Sequence, residues 1–285
     1  MKDLDDFIFA LVRNPEFPEK VNDIAVECGN SLYQPILDRY IAGEDVPFNE
    51  AQKVWRNTTQ PMCGTSEFFE ELFPLVRKIN QNLASTRRLR VLAGDSPPKE
   101  YFDRDSSIAS VMKNEVLSKH RKALMLFGTF HLIHGGHNAV GTYEKDYPNV
   151  TFVISDLMFF NADLAKRNPF TDWPVPSLAL AKGTWLGALD IDHFFPPLIM
   201  VDKDCTVRSE FPKEVQKPMA ELVDAFLYLG PPDLALIEKM RADIEQRAAT
   251  CRLARSLIVI VFLSLLGIGI YWLRRKKRTN NPAKK

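Results

Sequence analysis

The stretch that decides the fold is Arg121-Lys-Ala-Leu-Met-Leu-Phe-Gly-Thr-Phe-His-Leu-Ile-His-Gly-Gly-His137. Its apolar run, Ala123 to Phe127, is too short for a typical helix and stops at a glycine, so it predicts a buried strand. Three of the five histidines of the chain follow within seven residues. Because chemistry in α/β sheets sits just past the carboxyl ends of strands, we expect function here. The alternative is a glycine-rich loop with solvated, inactive histidines.

Around this stretch, short apolar runs alternate with helical patterns. That alternation predicts an α/β fold, with a mostly parallel sheet flanked by helices. The other predicted strands are Asp23–Glu27, Arg88–Ala93, Val150–Ser155 and Asp224–Gly230. The predicted helices are an amphipathic one within 1–13, then Leu32–Ile41, Phe48–Arg56, Glu67–Asn82, Ile108–His120, Ala139–Tyr147 and Leu234–Arg255. Residues 156–218 are rich in proline and aromatic residues, which indicates an irregular insertion over the strand ends.

The C-terminal end carries the signature of a membrane helix. Residues 256–273 hold 18 uncharged residues, and at ~1.5 Å per residue such a helix spans roughly the apolar core of a bilayer. A basic tail follows at 274–285, which favours a cytoplasmic C-terminus. We therefore expect a lipid bilayer as a partner and a single-pass anchor, preceded by a juxtamembrane helix at 233–255. The side on which the main domain lies stays open, since no export signal precedes it.

Charge and cysteine content limit the other functions. The formal net charge is +1, so no global attraction to nucleic acid is expected. The four cysteines form no Cys-x-x-Cys pair and are predicted to be mostly reduced, with a single Cys63–Cys205 bridge as the alternative. The sequence has no P-loop, G-x-S-x-G, H-E-x-x-H or G-x-G-x-x-G motif. Nucleotide binding and classical serine-hydrolase chemistry are therefore unsupported.

Three predicted strand ends bring polar side chains to one rim, namely Glu27, Asp95 and His131. Two acids and an imidazole can act as general base and acid, or hold a divalent metal. For Glu27 the alternative is a carboxylate that caps a helix or accepts hydrogen bonds from a loop, and for Asp95 it is a turn residue bonded to its own backbone. His134 and His137 fit no single helix face or strand period, and we consider them as cofactor ligands.

Several stretches together resemble a known group of proteins. They are Val21–Gln34, Asp38–Pro47, Val54–Gln60, Leu89–Asp95 and Asp224–Pro231. They look like an uncharacterised bacterial branch of the erythromycin-esterase/ChaN-like (Tiki/TraB) superfamily, and the resemblance covers roughly residues 1–232. That superfamily has an α/β fold and includes haem-binding lipoproteins, metal-dependent proteases and esterases.

The resemblance implies a site built from a Gly-Glu-x-His motif on a first strand, an acid after the next strand and a histidine after a later one. Glu27 and His131 take the second and third places. Met1 falls in the helix that follows that first strand, so the first strand and its motif are not in this sequence. We expect either that the gene start is placed too late or that the protein is a degenerate, inactive member of the superfamily.

The sequence thus predicts a membrane-anchored, hydrolase-like domain with an acid–histidine site, which acts either alone or with a bound divalent metal. The alternative is a non-catalytic protein that binds haem or another small ligand through its histidines, with the aromatic insertion as the pocket wall. A third alternative is a membrane-tethered interaction protein with no active pocket.

Overall fold

The computed structural model describes residues 2–58, 61–95, 104–157, 169–195, 199–201, 207–209 and 211–231, and 234, 235, 238, 239, 242, 243 and 245–257 beyond them. The chain divides into two compact units. The first comprises Met1–Leu157, Asp172–Ile191 and Lys213–Gly230. The second comprises Met158–Thr171, Asp192–Pro212 and Pro231–Lys285.

The described helices of the first unit are mostly short. They are α1 (Lys2–Arg13), α2 (Phe17–Lys20), α3 (Gln34–Ala42), α4 (Phe48–Ala51), α5 (Lys53–Arg56), α6 (Glu67–Gln81), α7 (Arg104–Val111), α8 (Thr129–Leu132) and α9 (Ala139–Tyr143). Its strands are β1 (Asp23–Asn30), β2 (Arg90–Asp95), β3 (Ala123–Leu126), β4 (Ile154–Asp156), β5 (Ser177–Leu180) and β8 (Ala225–Tyr228). In the second unit, β6 (Ile199–Val201) pairs with β7 (Val207–Ser209), and residues 245–257 are helical.

A parallel three-stranded sheet in the order β2-β1-β3 forms the centre of the first unit. Successive residues of β1 point to opposite faces, so Ile24 packs into one apolar cluster and Ala25 into another. The first cluster buries side chains of α1, α3, α5 and α6, and the second buries side chains of α7 and α9. The predicted α/β fold, a parallel sheet flanked by helices, is confirmed for this part of the chain. Both faces are covered because parallel strands are apolar on both sides.

Local signals set the ends of the longer helices. Gly43 ends α3 at φ 96°, a left-handed conformation that favours glycine. The buried side chain of Asn80, near the end of α6, donates to the carbonyls of Ile41 and Leu89 and accepts from the Leu89 amide. These bonds fix the end of α3 and the start of β2 relative to α6. The predicted helix at Glu67–Asn82 is confirmed and continues through Pro74.

The remaining strands of the first unit form a second sheet, β4-β8-β5, in which β4 is parallel and β5 antiparallel to β8. The sequence predicted one sheet, whereas the described strands of this unit fall into two. The strand predicted at Val150–Ser155 is shorter than expected, since β4 begins at Ile154. The predicted irregular insertion contains β5, which is regular because it pairs with β8 along four residues.

The prediction of reduced cysteines is wrong for the described residues. Cys28, in β1, forms a disulfide with Cys63, and the two Cα atoms are 5.7 Å apart. Cys251 is disulfide-bonded as well, so no described cysteine is a free thiol. The alternative Cys63–Cys205 bridge is also wrong, because Cys63 is bonded to Cys28. Spacing along the chain carries no information on this pairing, which exists because the turn at Pro61–Thr65 lies beside β1.

Within the part of the chain that the structure describes, no helix is long and apolar enough to cross a membrane. The predicted membrane helix at 256–273 lies outside the described residues, except for its first two positions. The basic tail at 274–285 lies outside them entirely. The helical residues 245–257 agree with the last part of the helix predicted at Leu234–Arg255.

Replacing both Cys28 and Cys63 by serine is expected to lower the free energy of unfolding. The two cysteines are 35 residues apart, and releasing a loop of that length in the unfolded chain costs about 3.8 kcal/mol of stability. Urea unfolding of the double variant beside the parent protein measures the loss. Digestion under non-reducing conditions should give one cross-linked peptide pair holding both residues, and an alkylated Cys28 thiol would contradict the pairing.

Candidate functional site

The carboxyl ends of β1, β2 and β3 meet at one edge of the parallel sheet, and the residues predicted from sequence lie there. Glu27 is in β1, Asp95 is the last residue of β2, and His131 is in α8, directly after β3. The side chains of Glu27 and His131 are in contact, with Nε2 and Oε1 3.4 Å apart. Asp95 is linked to Glu27 through an arginine that the sequence reading did not single out.

The Glu27 carboxylate is held from three sides. One oxygen accepts a hydrogen bond from the Gly128 amide at 2.6 Å, and the other faces Arg104 at 3.1 Å and His131 at 3.4 Å. A Cβ at position 128 would lie 3.2 Å from the carboxylate, so glycine permits this close approach. Burial alone would raise the pKa of Glu27, but the bonds from His131, Gly128 and Arg104 lower it to about 2. Glu27 therefore accepts a hydrogen bond from the loop after β3 and is also ionised.

His131 lies between two carboxylates. Its Nδ1 is 2.7 Å from Asp105 and its Nε2 faces Glu27. Burial would lower the pKa of His131, but hydrogen bonds and charge from Asp105 and Glu27 raise it to about 9. The imidazole is therefore a cation at neutral pH. Asp105 also accepts a hydrogen bond from the Ala139 amide at 2.9 Å, which fixes its orientation against the start of α9.

Arg104 completes the site and was missed from the sequence. Its Nε donates to Asp95 at 2.9 Å and its Nη2 to Glu27 at 3.1 Å, while Thr58 donates to the other oxygen of Asp95 at 2.9 Å. Asp95 is fully buried and orients Arg104 through this hydrogen bond. The sequence predicted that this helix begins at Ile108, whereas α7 includes Arg104, so no sequence signal marked Arg104 as a site residue.

His134 takes part in a separate cluster. Its Nδ1 is 3.3 Å from Glu144 and its Nε2 is 2.9 Å from Asp224, which also accepts from the Val153 amide at 2.7 Å. Burial would lower the pKa of His134, but Asp224 and Glu144 raise it. These contacts join α9 to the start of β8. His137 is exposed. Cofactor binding by His134 and His137 stays a prediction, and their partners differ from those of His131.

Among the residues that the structure describes, no cluster of three or more His, Cys, Asp or Glu side chains is arranged to hold a metal ion. In the described site the five charged side chains pair with one another. Three carboxylates, Glu27, Asp95 and Asp105, face the two cations Arg104 and His131. The site is therefore a network of ion pairs in which Glu27 is ionised and His131 is protonated.

Comparison with known proteins identifies no relative. No family model matches the chain, and neither a curated protein nor a solved structure matches it. The resemblance to the erythromycin-esterase/ChaN-like superfamily therefore stays a prediction from the quoted stretches.

Replacing Glu27 by glutamine should lower the pKa of His131 from about 9 by roughly one unit or more, because a carboxylate in contact stabilises the imidazolium. A proton NMR titration of the imidazole measures this change. Glu19→Gln is the matched control, because Glu19 pairs with Arg87 on the surface. An unchanged His131 pKa in Glu27→Gln would contradict the contact.

The same pair predicts how stability depends on pH. The pKa of His131 is raised above 6.5, so its contribution is complete below 6.5 and is lost as the pH rises through about 9. The pKa of Glu27 is lowered from 4.5, so its contribution is complete above 4.5 and is lost as the pH falls toward about 2. The contribution of this pair to the free energy of unfolding should be greatest between pH 4.5 and pH 6.5. In His131→Asn, the free energy measured by urea unfolding should fall less as the pH rises toward 9.

Proposed function

We propose that the first unit is a hydrolase-like domain in which Glu27 and His131 act as a base–acid pair on an ester or a related acyl compound. The observation that carries this proposal is the 3.4 Å contact between Glu27 Oε1 and His131 Nε2. The other ring nitrogen of His131 is held by Asp105, and the other oxygen of Glu27 by the Gly128 amide. The two atoms left facing each other are those that exchange a proton.

The ionised pair supplies both halves of a hydrolysis. The His131 imidazolium donates its Nε2 proton to the departing oxygen of the ester, while Glu27 takes a proton from the water that attacks the acyl carbon. Once His131 has lost its proton, a cation that lowers the pKa of Glu27 is gone, so the carboxylate becomes a stronger base in the same step. The proton on Glu27 then returns to His131, and an acid and an alcohol leave.

Asp105 and Arg104 act as positioning residues in this scheme. Asp105 holds the imidazole by Nδ1, so that Nε2 points to Glu27. Arg104 is fixed by the buried carboxylate of Asp95 and holds Glu27 in place by a charged hydrogen bond. The superfamily that the quoted stretches resemble includes esterases, and the proposed reaction belongs to the same class. The competing haem proposal has less support, because both ring nitrogens of His131 and of His134 face carboxylates.

Glu27→Gln and His131→Asn are each expected to reduce kcat/KM for an active ester by ~10²-fold or more, the usual size of acid–base effects. A panel of chromogenic esters identifies the substrate, and Glu221→Gln, an exposed carboxylate of the same unit, is the matched control. Full hydrolysis by Glu27→Gln would overturn the proposal. A Soret band in the purified protein that shifts in His131→Ala would favour haem binding instead.

We also propose that residues 256–273 anchor the chain in a lipid bilayer, which rests on the uncharged run of that segment. The Cys28–Cys63 disulfide favours an oxidising compartment for the first unit. Removal of 256–285 should therefore move the protein from the carbonate-washed membrane fraction to the supernatant. A full-length chain already in the supernatant would contradict the anchor.

A further inference from the structure

A cavity of about 630 Å³ in the first unit lies away from the Glu27–His131 site. One of its walls is β3 and the facing wall is residues 150–154. The aromatic ring of Tyr143 lines the cavity, and its hydroxyl lies 2.8 Å from Thr151 Oγ1 and 3.6 Å from Met125 Sδ. Tyr143 therefore spans the floor between the two walls. We call this cavity the strand slot.

Each wall of the strand slot is the edge of an extended segment, not its face. Ala123, Leu124 and Met125 all line it, although Leu124 packs against one side of the sheet and the other two against the opposite side. A cavity against the face of a strand is lined by alternate residues, whereas one at its edge is lined by consecutive ones. Consecutive residues also line the facing wall, at 150–154. The slot therefore lies in the plane that an additional strand would occupy.

The backbone groups of the walls point into the slot. The carbonyl of Lys122 accepts from the Asp23 amide of β1, so in the alternating pattern of a strand Ala123 and Met125 direct their groups to the other side. On the facing wall, Val153 donates to Asp224 and accepts from Ala225. Its neighbour Ile154 therefore directs its groups away from β8. In the described part of the chain, β3 and β4 are each the last strand of their sheet.

The composition of the slot defines the chemistry of an occupant. Its lining is mostly apolar, and Val150, Phe152 and Ile154 are 49%, 56% and 46% exposed. Among the described residues that line it, the charged or titratable groups other than tyrosine lie together at the start of β3, namely His120, Arg121 and Lys122, and none is a carboxylate. Asp23 binds Arg121, while His120 and Lys122 are exposed. One end of the slot therefore complements a negative charge.

We propose that the strand slot binds an extended apolar peptide segment whose free C-terminal carboxylate lies beside Lys122. The segment runs antiparallel to β3, hydrogen-bonds to β3 on one side and to Ile154 on the other, and joins the two sheets into one. About five residues, at ~3.4 Å each, span such a slot. Backbone pairing supplies affinity and the apolar walls supply selectivity, as in other cases of strand addition to an open edge.

A lipid acyl chain is the competing occupant, and the backbone argues against it. An acyl chain would cover the apolar walls and displace water from them, but it would leave the N–H and C=O groups of Ala123, Met125 and Ile154 without hydrogen-bond partners. Burying such a group without a partner is unfavourable. A peptide strand satisfies these groups on both walls at once.

Fluorescence anisotropy with labelled seven-residue peptides tests the proposal on the full-length protein. The probes alternate valine and threonine, end in valine with a free C-terminal carboxylate, and are compared with the same peptides N-methylated at alternate residues and with C-terminal amides. We expect micromolar binding of the free acid, ~10-fold weaker binding of the amide, and no binding of the N-methylated form. Lys122→Gln should weaken binding of the acid to the level of the amide. Lys182→Gln, an exposed lysine of the same unit, should have no effect.

A second variant tests the wall itself. Phe152→Lys places a charge on an exposed apolar wall residue and should reduce peptide binding ~10-fold or more, whereas Leu178→Lys, an equally exposed residue of β5 outside the slot, should not. Circular dichroism confirms that both variants fold. Three outcomes would each overturn the proposal. The first is equal binding of the N-methylated and parent peptides, and the second is tight binding of oleate without binding of the peptides. The third is no binding of any probe at 1 mM. The ester assay is independent of all of these outcomes.

Discussion

Burial of β1 between two parallel neighbours is the constraint on which the rest of the first unit depends. Because both faces and both edges of this strand are covered, its polar residues are confined to its ends. At the amino end, the fully buried Asp23 binds Arg90, the first residue of β2, and Arg121, two residues before β3. At the carboxyl end, Glu27 binds the Gly128 amide, Arg104 and His131. Each end thus joins β1 to its neighbours by charged contacts, and only the carboxyl end includes a histidine among its partners.

The charged cluster at the carboxyl end is stable because each charge has an opposite charge in contact. Removing one partner from such a cluster leaves a buried charge uncompensated, which is more costly than the pair is stabilising. The disulfide between Cys28 and Cys63 adds a covalent constraint at the residue that follows Glu27, while Thr58 donates a hydrogen bond to Asp95. The same network that orients the acid and the base therefore also holds the rim of the sheet together.

The strand slot follows from the opposite situation at the other edge of the sheet. β3 pairs with β1 on one side, while its second edge faces residues 150–154 across a cavity. The ends of the strands therefore carry the proposed chemistry and the edge carries the proposed peptide site. These two features are separated by the sheet geometry, since backbone groups point along the plane of the sheet and the side chains at the strand ends do not.

By itself, the sequence determined the strands β1, β2 and β3, because each is an apolar run bounded by polar residues. It also determined that Glu27, Asp95 and His131 share one rim, because parallel strands share their carboxyl ends. Only the tertiary structure decided the partners. His131 meets Asp105 across 26 residues and Glu27 meets Arg104 across 77, and no local pattern encodes such contacts. The Cys28–Cys63 bond, the division into two sheets and β5 likewise depend on pairing between distant segments, which hydrophobic periodicity along one segment does not specify.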